Sequence, residues 1–221
     1  MNKIKDTFFK KYGELDQIGE GSSRCVYQFD DNTVVKLPKD NTGILQNETE
    51  FSKKGNIHFA EILKVEKVLD NKFDVLFMEY LEPLDIVASQ LLDEVMDKLN
   101  ISKDICNLSE KELENFLNEF YDYFEDKIEN NPHYLMVFNA IDFFVKNDIS
   151  FDYDRFDDEI YYSCVDYFSE PIQDGDITMD EVFIENIGVK KENNGYTLKI
   201  IDGGVDSHEY FNIINDSNFV Y

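Results

Sequence analysis

Ile18-Gly19-Glu20-Gly21-Ser22-Ser23-Arg24-Cys25-Val26-Tyr27, followed by Thr33-Val34-Val35-Lys36, is the stretch on which the fold turns. Segments 24–29 and 33–37 are rich in Val, Tyr and Phe, and Asp30-Asp31-Asn32 between them is a turn signal. The pattern predicts a β-hairpin. Two glycines one residue apart at the tip of a strand pair let backbone N–H groups approach phosphates closely. Gly19-x-Gly21 by itself is equally compatible with an ordinary hairpin turn. Lys36 adds to it. A lysine in a run of β-branched residues is commonly a solvated, outward side chain, but here it can reach the α- and β-phosphates of a nucleotide under the loop.

Working outward, Asn41-Thr42-Gly43 precedes a short helical stretch over 44–53. It offers two acids, Glu48 and Glu50, on different faces, so only one can pair with Lys36. Glu50 is preferred: it neighbours Phe51, expected to face the core, and it shares a face with Asn47 three residues earlier. Two strands follow over 61–69 and 73–80, joined by Asp70-Asn71-Lys72. The first 84 residues thus read as strands and turns with one helix.

Beyond Pro83 the period becomes helical. Ser109 with Glu112 makes a capping box. Leu113, Phe116, Leu117, Phe120, Phe124 and Ile128 then form one apolar face of a long helix. Asn131-Pro132 opens the next helix, with Leu135, Phe138, Ile141, Phe144 and Val145 as its expected apolar face. A further helix is expected over about 155–168. Segments 187–189 and 198–201 flank Asn193-Asn194-Gly195, a hairpin turn.

Taken in order, the Gly-rich loop, the strand lysine and the helix glutamate resemble the N-lobe of protein kinases. Leu76-Phe77-Met78-Glu79-Tyr80-Leu81 is similar to the fifth strand running into the hinge. The resemblance implies adenine recognition by the Glu79 and Leu81 backbone, with Met78 as gatekeeper. Asp180-Glu181-Val182-Phe183-Ile184-Glu185-Asn186 is similar to the kinase catalytic loop. Ile200-Ile201-Asp202-Gly203-Gly204 resembles the Asp-Phe-Gly motif, with Gly203 in place of Phe. The resemblance implies an α+β, two-lobed protein-kinase-like fold: a β-rich N-lobe over 1–84 and a mainly helical, truncated C-lobe over 85–221. It also implies ATP and Mg²⁺ as cofactors, with Gly19, Gly21 and Lys36 at the phosphates, Glu50 holding Lys36, Asn186 and Asp202 as metal ligands, and Glu181 or Asp180 as base.

The chain departs from that family in three places. Arg24 stands where the loop's third glycine belongs, placing a cation near the phosphates. Glu181 occupies the register of the catalytic aspartate and is one methylene longer. Only 17 residues follow Gly204, too few for a long activation segment. An atypical phosphotransferase and a catalytically inactive pseudokinase both remain open.

Composition bounds the partners. The net charge is −26 over 221 residues. Residues 1–84 carry 15 acidic and 12 basic side chains, whereas 107–185 carry 22 acidic and only 4 basic. Such a field repels nucleic acid and anionic membranes. It is a solvated surface or, as a third reading, an acidic surface for a protein partner that handles nucleic acid. No apolar run is long enough for a membrane span, and the N-terminus lacks a signal-peptide core. Cys25, Cys106 and Cys164 are widely spaced and read as reduced thiols, so a cytoplasmic location is expected, in a host cytoplasm if the source is viral. His58, His133 and His208 are scattered and take no assigned role.

Overall fold

The computed structural model describes residues 3–69, 73–102 and 104–203. The Asp70-Asn71-Lys72 turn, Gly204 and His208 lie outside the described residues. The fold class is α+β. The chain divides into two compact units, Met1–Leu81 with Asp202–Tyr221, and Glu82–Ile201. β6 (Glu82–Pro83) opens the second unit and pairs with one of its strands, Glu82 opposite Val189.

The first unit is built on an antiparallel five-stranded sheet in the order β1-β2-β3-β5-β4. Its strands are β1 (Gln17–Glu20), β2 (Arg24–Asp30), β3 (Thr33–Pro38), β4 (Ile62–Val68) and β5 (Phe73–Glu79). The turn between β2 and β3 is closed by Asp30, whose Oδ1 accepts from the Asn32 N–H at 2.9 Å, the local bond that makes Asx residues turn formers. Register pairs Cys25 with Leu37, Val26 with Lys36 and Tyr27 with Val35.

Because successive side chains alternate across a strand, β3 serves two faces. Val35 and Leu37 join Tyr27, Val75 and Phe77 in a core completed by Ile4 and Phe8. Those last two lie on α1 (Lys3–Tyr12), a helix absent from the sequence reading. Ile4 and Phe8, at i and i+4, are buried, Phe9 and Tyr12 pack beside them, and the segment is helical because the sheet offers that face a partner. Lys36 points to the opposite face, which is covered by α2 (Asn41–Ser52). Asp40 caps α2 by accepting from the Gly43 N–H at 2.9 Å, so Gly43 lies in the first turn and not ahead of it. A Cβ at Gly43 would collide with the Ser23 carbonyl oxygen and come within 3.1 Å of Arg24 Cγ and Pro38 Cα. Only glycine lets the helix start this close to the strands.

The second unit is mainly helical. It contains α3 (Leu84–Lys98), α4 (Glu110–Asn130), α5 (Pro132–Lys146), α6 (Tyr153–Tyr167), α7 (Ser169–Gln173) and a three-stranded sheet, β6-β7-β8. The Ser109–Glu112 capping box forms as read, and the six residues of the α4 stripe are all buried. Each such side chain contributes about 1.5–3 kcal/mol on burial. On α5 the buried face is Tyr134, Val137, Ile141 and Phe144 with Met136 and Ala140. Leu135, expected on it, is 44% exposed, one position off the stripe. The strands β7 (Ile187–Glu192) and β8 (Gly195–Ile200) form the expected hairpin. Gly195 has φ +140°, and a Cβ there would press to 3.3 Å on Asn130 O and Asn131 Oδ1. No helix among the described residues is long and apolar enough to cross a membrane.

Candidate functional site

In the first unit the site begins at the β1–β2 turn. The Gly21 N–H donates to the Arg24 carbonyl at 3.0 Å, and Lys39 Nζ ties the turn by donating to Gly21 O at 2.6 Å and Glu20 Oε1 at 2.7 Å. Neither Gly19 nor Gly21 has a positive φ. A Cβ would meet Val26 at 3.5 Å from Gly19 and Arg24 O at 3.9 Å from Gly21, which are ordinary contacts. The fold itself does not require either glycine, so their small size stays available for a close-approaching ligand.

Next to the turn, around Arg24, four charged groups converge. Lys36 Nζ donates to Glu50 Oε1 at 2.8 Å and stands 3.7 Å from Asp202 Oδ1. Glu50 Oε1 also pairs with Arg24 Nη2 at 2.9 Å and accepts the Gly203 N–H at 3.1 Å. Arg24 Nη2 donates to Asp202 Oδ1 as well, and Nη1 donates to Asn47 Oδ1 at 3.2 Å. Asn47 is fixed in turn by donating Nδ2 to the Lys36 carbonyl at 3.2 Å. Of the two acids on α2, Glu50 is buried against Lys36 and Glu48 is exposed. Phe51, expected to face the core, is 42% exposed, so ion pairing and not a neighbouring hydrophobe seats Glu50.

Enclosure sets the electrostatics. Glu50 is 2% exposed; burial raises its carboxyl above the usual range although Arg24 and Lys36 pull it down. Its Oε2 has no hydrogen-bond partner among the described residues, which fits a charge that its neighbours compensate incompletely. The Asp202 side chain is 45% exposed. Burial works against its charge, but Lys36 and then Arg24 hold it well below the ordinary carboxylate range. For Arg24, desolvation opposes the cation, and Glu50 and Asp202 outweigh it.

The sequence did not single out Arg24 or Asn47 as site residues. Asn47 carried a weak signal, its i, i+3 spacing from Glu50. Arg24 carried another, a cation where the resemblance of the loop would call for a third glycine.

An Asp202-centred divalent metal does not fit this arrangement. Oδ1 is taken by Arg24, and Lys36 stands nearby, so a doubly charged ion would enter beside two cations. Among the described residues, no three His, Cys, Asp or Glu side chains gather so as to hold a metal ion.

At the end of β5, the Glu79 N–H donates to Glu61 O at 2.9 Å, and Glu79 Oε1 accepts the Glu61 N–H at 2.8 Å. The Tyr80 N–H goes to Asn32 O at 2.7 Å. Leu81 is the last residue of this run in the first unit.

In the second unit, Asp180 is exposed and Glu181 is 4% exposed. Glu181 closes a capping box on a 3-10 turn (Met179–Glu181) with Thr178, accepting its N–H at 2.7 Å. Asn186 ends a second 3-10 turn (Ile184–Asn186), and its carbonyl accepts the Ile201 N–H at 2.7 Å.

No protein-family model matches the chain, and no curated protein does either. Among solved structures it is similar to the GDP complex of a point mutant of aminoglycoside 2'-phosphotransferase-IIIa, at 14% identity and TM-score 0.34 over 90% of this chain and 70% of that one. The wild-type GDP complex gives 12% identity and TM-score 0.34 over 90% and 70%. A streptomycin–ATP–APH(2")-IIa ternary complex gives 16% identity and TM-score 0.31 over 90% and 69%. Likeness at this level carries no argument about activity.

Proposed function

We propose that this chain is a protein-kinase-like nucleotide-binding protein that works by binding and not by phosphate transfer. The observation that carries the reading is the cluster of buried Lys36, Glu50 and Arg24 with half-exposed Asp202, next to a turn whose glycines the fold does not require. Lys36 and the loop amides are the natural partners of a polyphosphate, and adenine recognition falls to the backbone of Glu79 and Leu81. Loss of transfer is supported by Glu181, whose carboxylate caps its own turn, and by Asp202, whose oxygen an arginine occupies. A protein partner is supported by α4, which exposes Glu110, Glu112, Glu114, Asp122, Glu125, Asp126 and Glu129, a face suited to a basic surface.

A second reading, an atypical phosphotransferase, is favoured by one feature: the Lys36–Glu50 pair is intact at 2.8 Å. Calorimetric titration of ATP into the full chain, with parallel assays of ATP hydrolysis and autophosphorylation, separates the two. Binding is expected, weakened about 5- to 150-fold by Lys36→Met, the worth of one charge-assisted bond of about 1–3 kcal/mol, with turnover no faster than the no-enzyme blank. Turnover that Lys36→Met removes would establish the phosphotransferase. Absence of binding at millimolar ATP would sink the nucleotide reading.

A further inference from the structure

Resting on that reading, we propose that Arg24 is a built-in replacement for the divalent cation at Asp202, so that this protein binds nucleotide polyphosphate without metal. The inference starts from charge. An aspartate facing a polyphosphate repels it unless a cation lies between them. Here the cation is covalently part of the chain. Arg24 Nη2 bridges Asp202 Oδ1 and Glu50 Oε1, the latter at 2.9 Å. With Lys36, the cluster holds two positive and two negative groups and is already balanced. A divalent ion added at Asp202 would stand beside two cations, Arg24 and Lys36, whose side chains are only 4% exposed, where repulsion between like charges is least screened.

The guanidinium is held, not merely nearby. Its second nitrogen donates to Asn47 Oδ1 at 3.2 Å, and Asn47 is locked to the β3 backbone at Lys36 O. The planar fork of arginine suits such fixed, multi-point contact, which a flexible lysine would not reproduce. The stem is accommodated by Gly43, where a Cβ would stand 3.1 Å from Arg24 Cγ. Position 24 therefore combines a fork that meets two carboxylates and a glycine in α2 that clears its path.

Two measurements on the full chain test this. In the first, ATP is titrated in Mg²⁺ and in EDTA. The wild type is expected to bind with affinities within about threefold of each other, whereas Arg24→Gln is expected to bind at least tenfold more weakly in EDTA than in Mg²⁺. Wild-type binding that is lost in EDTA overturns the proposal, and so does an Arg24→Gln protein indifferent to metal. Should Arg24→Gln fail to fold, the wild-type pair of titrations decides alone. In the second, Mn²⁺ alone is titrated and followed by electron paramagnetic resonance, with no nucleotide present. The wild type is expected to show no Mn²⁺ site that Asp202→Asn abolishes; such a site overturns the proposal whether or not ATP binds. Failure to bind ATP in either buffer instead overturns both the nucleotide reading and the metal-free binding built on it, while the Mn²⁺ arm still judges the exclusion of metal at Asp202.

Discussion

Replacing His133 by phenylalanine should remove much of the acid sensitivity of the second unit. His133 lies in the first turn of α5, is 3% exposed, and packs its ring against Tyr134 at 4.5 Å and Tyr196 at 4.8 Å. Its Nδ1 has no hydrogen-bond partner among the described residues. Burial, with Lys127 adding repulsion, lowers its pKa from 6.5 to about 4. A base whose folded pKa is depressed is favoured neutral, so its stabilisation is complete above pH 6.5 and is lost as pH falls toward 4. One pKa unit corresponds to about 1.4 kcal/mol. The interval therefore corresponds to about 1 kcal/mol lost at pH 5.5 and about 2–3 kcal/mol at pH 4.5, relative to neutral pH. Phenylalanine keeps a ring between the two tyrosines and cannot titrate. Urea unfolding of wild type and His133→Phe at pH 7.5, 5.5 and 4.5, followed through the second unit's helical signal, measures the difference. The stability gap between them should shift in favour of the variant by those amounts as pH falls. A gap constant across the three pH values would refute the reasoning, because it would mean that His133 titrates alike folded and unfolded.

The cluster in the first unit makes a paired prediction. Glu50, raised by burial, contributes stability that is present below its ordinary value and lost as pH rises, so Glu50→Gln should cost under about 1 kcal/mol at pH 8 despite the three donors on Oε1; a loss near the ~3–5 kcal/mol of a broken buried pair would show that pairing outweighs desolvation. Asp202, held low, contributes stability present above its ordinary value and lost as pH falls. Asp202→Asn should cost about 1 kcal/mol at pH 7, a figure discounted for its half-exposed side chain, with thermal denaturation as the readout. Glu181→Ala should cost about 1 kcal/mol as a lost cap, and Glu181→Gln, whose amide oxygen still accepts the Thr178 N–H, under about 0.5 kcal/mol. Equal losses in chemical denaturation would mean that the charge, not the cap, matters there.

Much of the architecture was legible in local sequence, because local rules govern it. A β-branched run around an Asx turn gives the β2–β3 hairpin, and Asn193-Asn194-Gly195 gives the second, since both depend on backbone preferences a few residues wide. The α4 stripe follows from the 3.6-residue period and its capping box. The α1 helix was missed although Ile4, Phe8, Phe9 and Tyr12 mark its packed face, because a ten-residue helix is marginal until a sheet supplies the surface that buries it.

The candidate site divides along the same line. Lys36 and the acids of α2 could be found from order and spacing, and the choice of Glu50 leaned on a neighbour, Phe51, that turned out to be exposed. The role of Arg24 could not be found that way, because its partner Asp202 lies 178 positions away. Nor was the cap that Glu181 forms on the Thr178 N–H singled out in the sequence. Residue type and spacing determine which groups can be charged and which faces they occupy. Which carboxylate meets which cation, and how much water is left around each, is decided only when distant strands and helices are packed together, because desolvation and ion pairing depend on the distances that packing creates.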